Sequence, residues 1–271
     1  MGIAVEELAG RVTFEDAIHL LWRGREPSGD EREHVRALLG EAREAAVERL
    51  SGLGDALALP DAMDSLRAAV GHLGADADEG GTREPDDDGL ASVVRIVGAL
   101  AVMAAAWARK PAPVRPDPGA SHAADYLRMA TGRAPSQHDV NALDAYLVTV
   151  IDHGMNASTF AARVVASTGS DTVSAIVAAI GALKGKLHGG APERALRANV
   201  EFYTAVLLEA VGLPRPLFTP TFAVARAAGW CAHIEEERAA GRLIRPKSRY
   251  VDAPPLAYRG SALRSREART H

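Results

Sequence analysis

Apolar residues recur along this chain at helical spacing, and residue after residue that caps helices stands just before each run. Thr13 with Asp16 and Ser28 with Glu31 have the capping-box spacing, in which the cap side chain and the third helical residue satisfy each other's backbone donors. Behind the first come Ala17, Ile18, Leu20, Leu21 and Trp22; behind the second come Val35, Leu38, Leu39, Ala42, Ala46 and Leu50. Pro60 and Asp61 open a helix through Met63, Leu66, Ala69, Val70 and Leu73. A further helix is expected over about 120–131. Ser136 with Asp139 caps the next, whose apolar residues run from Val140 to Ile151 and end at His153. Ser158 is read as starting a helix, as is Ser170 with Asp171, the latter ending at Gly185. Two more cover 203–211 and 219–240, with Gly212-Leu213-Pro214 as the stop between them. Alternating strand patterns are scarce, so the expected fold class is all-α.

The connections are as informative as the helices. Residues 74–89 form an acidic, Gly-rich loop, and 111–118 a proline-set extended link. Residues 247–271, rich in Arg, Ser and Pro, are expected to form an extended C-terminal tail, disordered unless it lies over a partner subunit. A length of 271 residues suffices for one large core or two small ones. The net charge of −4 and scattered basic residues give no nucleic-acid surface. Cys231 is the only cysteine, which rules out an intramolecular disulfide and a thiolate metal site and fits a reducing compartment. No His-based metal motif occurs, so no metal is expected. Leu90 to Ala108 is apolar enough to suggest a membrane span, but Arg95 interrupts it and three aspartates precede it. It is expected to be a buried helix, in a cytoplasmic protein without a membrane segment.

Chemistry concentrates in two short segments, 152–160 (Asp-His-Gly-Met-Asn-Ala-Ser-Thr-Phe) and 185–191 (Gly-Lys-Leu-His-Gly-Gly-Ala). Each sets a histidine, His153 or His188, beside glycine at the end of a helical pattern. Small neighbours let a ligand approach, and an ordinary imidazole pKa near about 6.5 suits proton transfer at neutral pH. Glu201 opens a helix, where the dipole favours a carboxylate. Arg226 lies in a helix of small and apolar residues, so its guanidinium needs an anionic partner if buried; a bound carboxylate would serve. Arg245 lies in the loop segment Ile244-Arg245-Pro246-Lys247-Ser248.

Taken together these segments resemble the citrate synthase family, which includes citrate and 2-methylcitrate synthases. The similarity begins at Val5-Glu6-Glu7-Leu8-Ala9 and continues in 14–22 and 63–67. It is densest over 152–163, 178–191, 199–203 and 217–230, and closes with 244–248. The resemblance implies a large helical domain over 1–246 and an acyltransferase that condenses acetyl-CoA, or another short acyl-CoA, with oxaloacetate through an enol. It implies no cofactor, the acyl-CoA being a substrate. In those terms His188 polarises the thioester carbonyl, His153 hydrogen-bonds oxaloacetate, and Arg226 binds a substrate carboxylate. Arg245 reaches the site of the neighbouring subunit of a homodimer, and Glu201 stands where the family has the aspartate that removes the α-proton.

The chain also departs from the family's pattern. Glu201 is one methylene longer than aspartate, and Lys186 stands where proline is usual. Between Ala191 and Asn199 the family inserts a small domain, for which this chain has only the seven residues 192–198. With that domain go a second catalytic histidine in a Gly-x-Gly-His segment, a further oxaloacetate arginine and most of the CoA cradle. The family's N-terminal hairpin has no counterpart before Val5 either. Two functions stay open on these residues. One is a citrate-synthase-type enzyme, impaired by what is missing. The other is a non-catalytic relative that binds a dicarboxylate, or that dimerises with a full-length synthase as a regulatory subunit.

Overall fold

A computed structural model describes residues 3–76, 89–188 and 200–247; the side chains of 75, 76 and 200–202 fall outside the description. Eleven α-helices account for most of the described residues, and no strand occurs among them. They are α1 (Val5–Leu8), α2 (Phe14–Arg23), α3 (Gly29–Arg49), α4 (Ala62–Gly71), α5 (Leu90–Ala108) and α6 (His122–Thr131), then α7 (Gln137–Val150), α8 (Ala157–Ala166), α9 (Thr172–Leu183), α10 (Val200–Ala210) and α11 (Phe218–Ala240). The all-α expectation holds, and so do the local signals behind it. Thr13, Ser28 and Ser136 each close a reciprocal capping box. Asp61 and Asp171 cap α4 and α9 through their carboxylates.

Three starts differ from expectation; one is that of α10, expected from 203 and beginning at Val200. The cap of α6 is Ser121, which moves that start to His122. The cap of α8 is Asn156, whose Oδ1 accepts from both Ser158 N and Thr159 N; Ser158 therefore lies inside the helix. Asn is as strong a cap as Ser, and here it frees the Ser158 hydroxyl for other work. The acidic loop and the C-terminal tail lie largely or wholly outside the described residues, as does the whole of 192–198.

Helix α5 is the spine of the core, packed against α3, α4, α6 and α11. From Val93 to Ala106 nearly every side chain is buried, which explains its membrane-like composition: it is the apolar interior of a helical fold. Its crossing with α3 depends on Gly98, where a Cβ would stand 2.8 Å from that of Ala42. Helix α11 is the second spine and touches α2, α4, α5, α7, α8 and α9. Because α7 and α8 both rest on it, the connection between them, residues 151–156, is pressed against α11.

A buried ionic cluster ties α3 to α6. Arg43, fully buried, donates from Nε to Asp125 Oδ2 at 2.7 Å and from Nη2 to the carbonyls of Asp117 and Ala120. Its Nη1 faces His122 Nδ1 at 3.4 Å. Asp125 also accepts from Arg128 and from the backbone of Asp117. His122 donates its backbone N–H to Glu15 Oε1, anchoring α6 on α2. Burial, and then the charge of Arg43, push the His122 imidazole pKa well below its ordinary value. The cluster is a braced crossing, with the guanidinium bonded through all three nitrogens.

Candidate active site

The connection from α7 to α8 carries His153, and its conformation is set by its neighbours. Asp152 Oδ2 accepts the N–H of Gly154, bridging over His153, and Gly154 adopts φ +77°, which a residue without Cβ takes without strain. Asn156 then caps α8. His188 ends the turn that follows α9, and its backbone N–H donates to Gly185 O. That turn is moored from below: Lys184 pairs with Asp64 on α4 and lies 3.8 Å from Asp61. Arg226 is on the third turn of α11, in the interior, with no exposed surface.

Structure brings His153, His188 and Arg226 together. Phe222, one helical turn before Arg226, lies beneath them: its ring centroid is 4.6 Å from the guanidinium carbon and 6.4 Å from the His153 ring. His153 is exposed at the surface and His188 partly buried. Burial, followed by the nearby Arg226 charge, lowers the pKa of His153; burial, Arg226 and then His153 lower that of His188. Both rings are therefore held neutral at pH 7.

Arg226 is the strongest feature of the site. Its Nε donates to Val150 O at 2.6 Å, but Nη1 and Nη2 are buried and have no hydrogen-bond partner among the described residues. Burial lowers its pKa to about 10, opposed by the nearby Asp152 carboxylate. A buried guanidinium with both terminal nitrogens unbonded is poorly stabilised, and a carboxylate presenting two oxygens to that fork would satisfy it.

His188 Nε2 is 2.9 Å from Ser158 Oγ, and Ser158 Oγ is 2.7 Å from Asn156 Oδ1. The serine hydroxyl has one proton to give. Donated to Asn156, it leaves the imidazole to carry Nε2–H; donated to His188, it fixes the other tautomer, with Nδ1–H available to a substrate carbonyl. Ser158 is fully buried, so no water competes for this exchange.

Of the other expected site residues, Glu201 lies at the start of α10, as anticipated, with its side chain outside the description. Arg245 is exposed on the segment after α11, which Ile244 N tethers to Ser167 Oγ. None of the interactions joining His153, His188 and Arg226 involves it. Asn156, Ser158, Phe222 and Lys184 were not anticipated as site-builders. Phe222 had a signal, since it stands four residues before Arg226 on one helix face. Among the described residues no group of three or more His, Cys, Asp or Glu is placed to hold a metal ion.

Comparison with known proteins fits this arrangement. The family model described as "Citrate synthase, C-terminal domain" matches residues 1–198 and again 192–247. The chain is 31% identical to the 2-methylcitrate synthase of Mycobacterium tuberculosis, covering 92% of this chain and 83% of that protein. It is 29% identical to the citrate synthase of Haloferax volcanii over 349 aligned positions, covering 95% and 90%. Among solved structures it resembles the citrate synthase of Thermotoga maritima (27% identity, TM-score 0.79, 95% and 90% covered). It also resembles that of Pyrobaculum aerophilum (27%, TM-score 0.82, 95% and 87% covered). The chain belongs to the citrate synthase family.

Proposed function

We propose that this chain binds oxaloacetate at His153 and Arg226 and condenses it with acetyl-CoA or another short acyl-CoA. The observation that carries this is the unbonded, buried fork of Arg226, whose charge acts on two nearby imidazoles and lowers their pKa values. It is a receptor for one carboxylate, with a hydrogen-bonding histidine beside it for the rest of a keto diacid. His188 gives Nδ1–H to the thioester carbonyl oxygen once the Ser158 hydroxyl turns from Asn156 Oδ1, to which it donates in this structure, to His188 Nε2. Glu201 takes the α-proton and later releases it to solvent. The enol carbon then attacks the keto carbon of oxaloacetate, the enol O–H proton returns to His188 as the thioester carbonyl re-forms, and the new alkoxide takes up a proton from solvent. The product is a thioester, and water releases CoA from it. No cofactor enters, because acyl-CoA is consumed as a substrate. The setting we infer is cytoplasmic.

The subunit is read as half of a homodimer. Phe160 on α8 is 51% exposed, and Val164, Val177, Ala178, Gly181 and Ala182 on α8 and α9 are only partly covered. Small side chains permit close helix approach. Arg245, exposed on the segment after α11, is assigned to the partner's site.

We infer further that residues 1–246 are the large domain alone. In support, the two stretches matching the family model overlap at 192–198, and the alignment with the Haloferax volcanii enzyme is longer than the 271 residues of this chain. A cleft without its small domain excludes water poorly, which lowers turnover. The same break favours the second function, a dicarboxylate-binding, non-catalytic relative that dimerises or regulates a full-length synthase. Release of CoA from acetyl-CoA plus oxaloacetate by purified protein separates the two. Turnover that vanishes in His188→Ala supports the enzyme. No turnover with retained oxaloacetate binding supports the binding protein, and neither turnover nor binding ends both.

A further inference from the structure

One face of α11 does more than present Arg226. Arg226, Gly229 and His233 stand at positions i, i+3 and i+7, two turns along a single stripe, and they hold three consecutive residues of the chain that leads into His153. Arg226 Nε bonds the Val150 carbonyl at 2.6 Å. Gly229 lets the Ile151 carbonyl lie against the helix: a Cβ there would be 2.2 Å from that oxygen and 3.1 Å from Asp152 Cβ. His233 Nε2 bonds Asp152 Oδ1 at 3.1 Å. Asp152 in turn spans His153 with its other oxygen, through Gly154 N at 3.3 Å.

The protons on this chain are assignable. Two groups meet His233 Nδ1, Arg163 Nη1 at 3.0 Å and Glu236 Oε2 at 3.3 Å. Arg163 is the nearer and can only donate, and the tautomer matching it has Nδ1 accepting and Nε2–H donating to Asp152. Arg163 is itself held by Glu237 and Glu236 at 2.8 Å. The imidazole of His233 is therefore oriented from both sides. Burial raises the Asp152 carboxyl, but the hydrogen bond from His233, with the Gly154 N–H and the charge of Arg226, outweighs it, and the group stays below its ordinary pKa, ionised and able to accept both bonds.

Building on the functional reading above, we propose that His233 is a positioning residue for oxaloacetate. It fixes the turn 152–154 so that His153 is held in register with the Arg226 fork on the same helix. Touching no substrate, it acts through Asp152. A small displacement of His153 relative to Arg226 separates two groups that must meet one ligand together.

The test compares His233→Ala, His233→Asn and His233→Gln in the full chain, by oxaloacetate calorimetry and by backbone amide exchange without ligand. Glutamine has the reach and the donor–acceptor pair to bond both Asp152 and Arg163; asparagine is too short for Asp152. The Ala and Asn variants are expected to weaken oxaloacetate binding about 10- to 100-fold and to speed exchange at residues 153–156, with melting temperature and acyl-CoA binding unchanged. The Gln variant is expected to restore both properties. Where the Ala variant does not fold, the Asn variant takes its place. Unchanged exchange at 153–156, equal losses for Gln and Asn, or faster exchange along the whole of α11 would overturn the proposal. If the wild type takes up no oxaloacetate, the functional reading fails and with it the substrate role, and the exchange data still decide whether His233 orders the turn.

Discussion

Arg43 and Arg226 are both fully buried, and they could hardly be treated more differently. The first bonds Asp125, two carbonyls and His122 Nδ1, so every nitrogen of its guanidinium has a partner. The second bonds one carbonyl through Nε and leaves Nη1 and Nη2 unbonded beside two histidines. Burial lowers the pKa of both. Among the described residues, Arg43 has an anion in direct contact and Arg226 has none. A buried cation completed by its own chain is scaffold; one left incomplete is the candidate for receiving a ligand anion. The difference lies in the partners, since the residue type and the degree of burial are the same.

The largest effect is expected at Arg43. Arg43→Leu strands Asp125 without its main counter-charge, and removing one member of a buried pair destabilises by about 3–5 kcal/mol. Urea unfolding reads this directly; a loss under about 1 kcal/mol would show that the two arginines are not different in kind. At Arg226 the opposite pattern is expected. Arg226→Leu removes an uncompensated cation, so stability holds or rises, while oxaloacetate affinity falls by about 2–5 kcal/mol. This is the trade between stability and function that active sites show.

Smaller effects sharpen the contrast. Ser158→Ala removes the hydroxyl that chooses the His188 tautomer, with about a tenfold fall in kcat and an unchanged KM for oxaloacetate. A matching rise in KM would place Ser158 in binding instead. The smallest expected effect is on pH. His122 has its folded pKa below the unfolded value, so below about 6.5 the unfolded chain binds a proton that the folded one does not. Stability is then expected to decline as pH drops through that value, and replacing His122 by Gln should flatten the decline in acid unfolding curves.

The sequence carried what is local. Capping boxes at Thr13, Ser28 and Ser136 span three residues, and their geometry follows from their spacing. His153, His188 and Arg226 were legible through family resemblance, because each sits in a distinctive short segment. Arg43 was invisible as a brace, since Asp125 is 82 residues away and nothing near Arg43 hints at it. Ser158 passed for a cap because Asn156, two residues earlier, makes the same bonds equally well. Gly229 reads as one more small residue in an alanine-rich helix until the Ile151 carbonyl is seen pressed on it. Closeness of that kind depends on how helices cross, which no local pattern states.

The central claim is that the Arg226 fork is the carboxylate receptor, and thermal unfolding with and without oxaloacetate tests it most directly. At a hundredfold excess over Kd a ligand that binds only the folded state stabilises by about 2.7 kcal/mol. The wild type is expected to show that gain. Arg226→Leu, at equal or higher intrinsic stability, is expected to show none at the same concentration. A shift of the same size in both proteins, or none in the wild type, would contradict it.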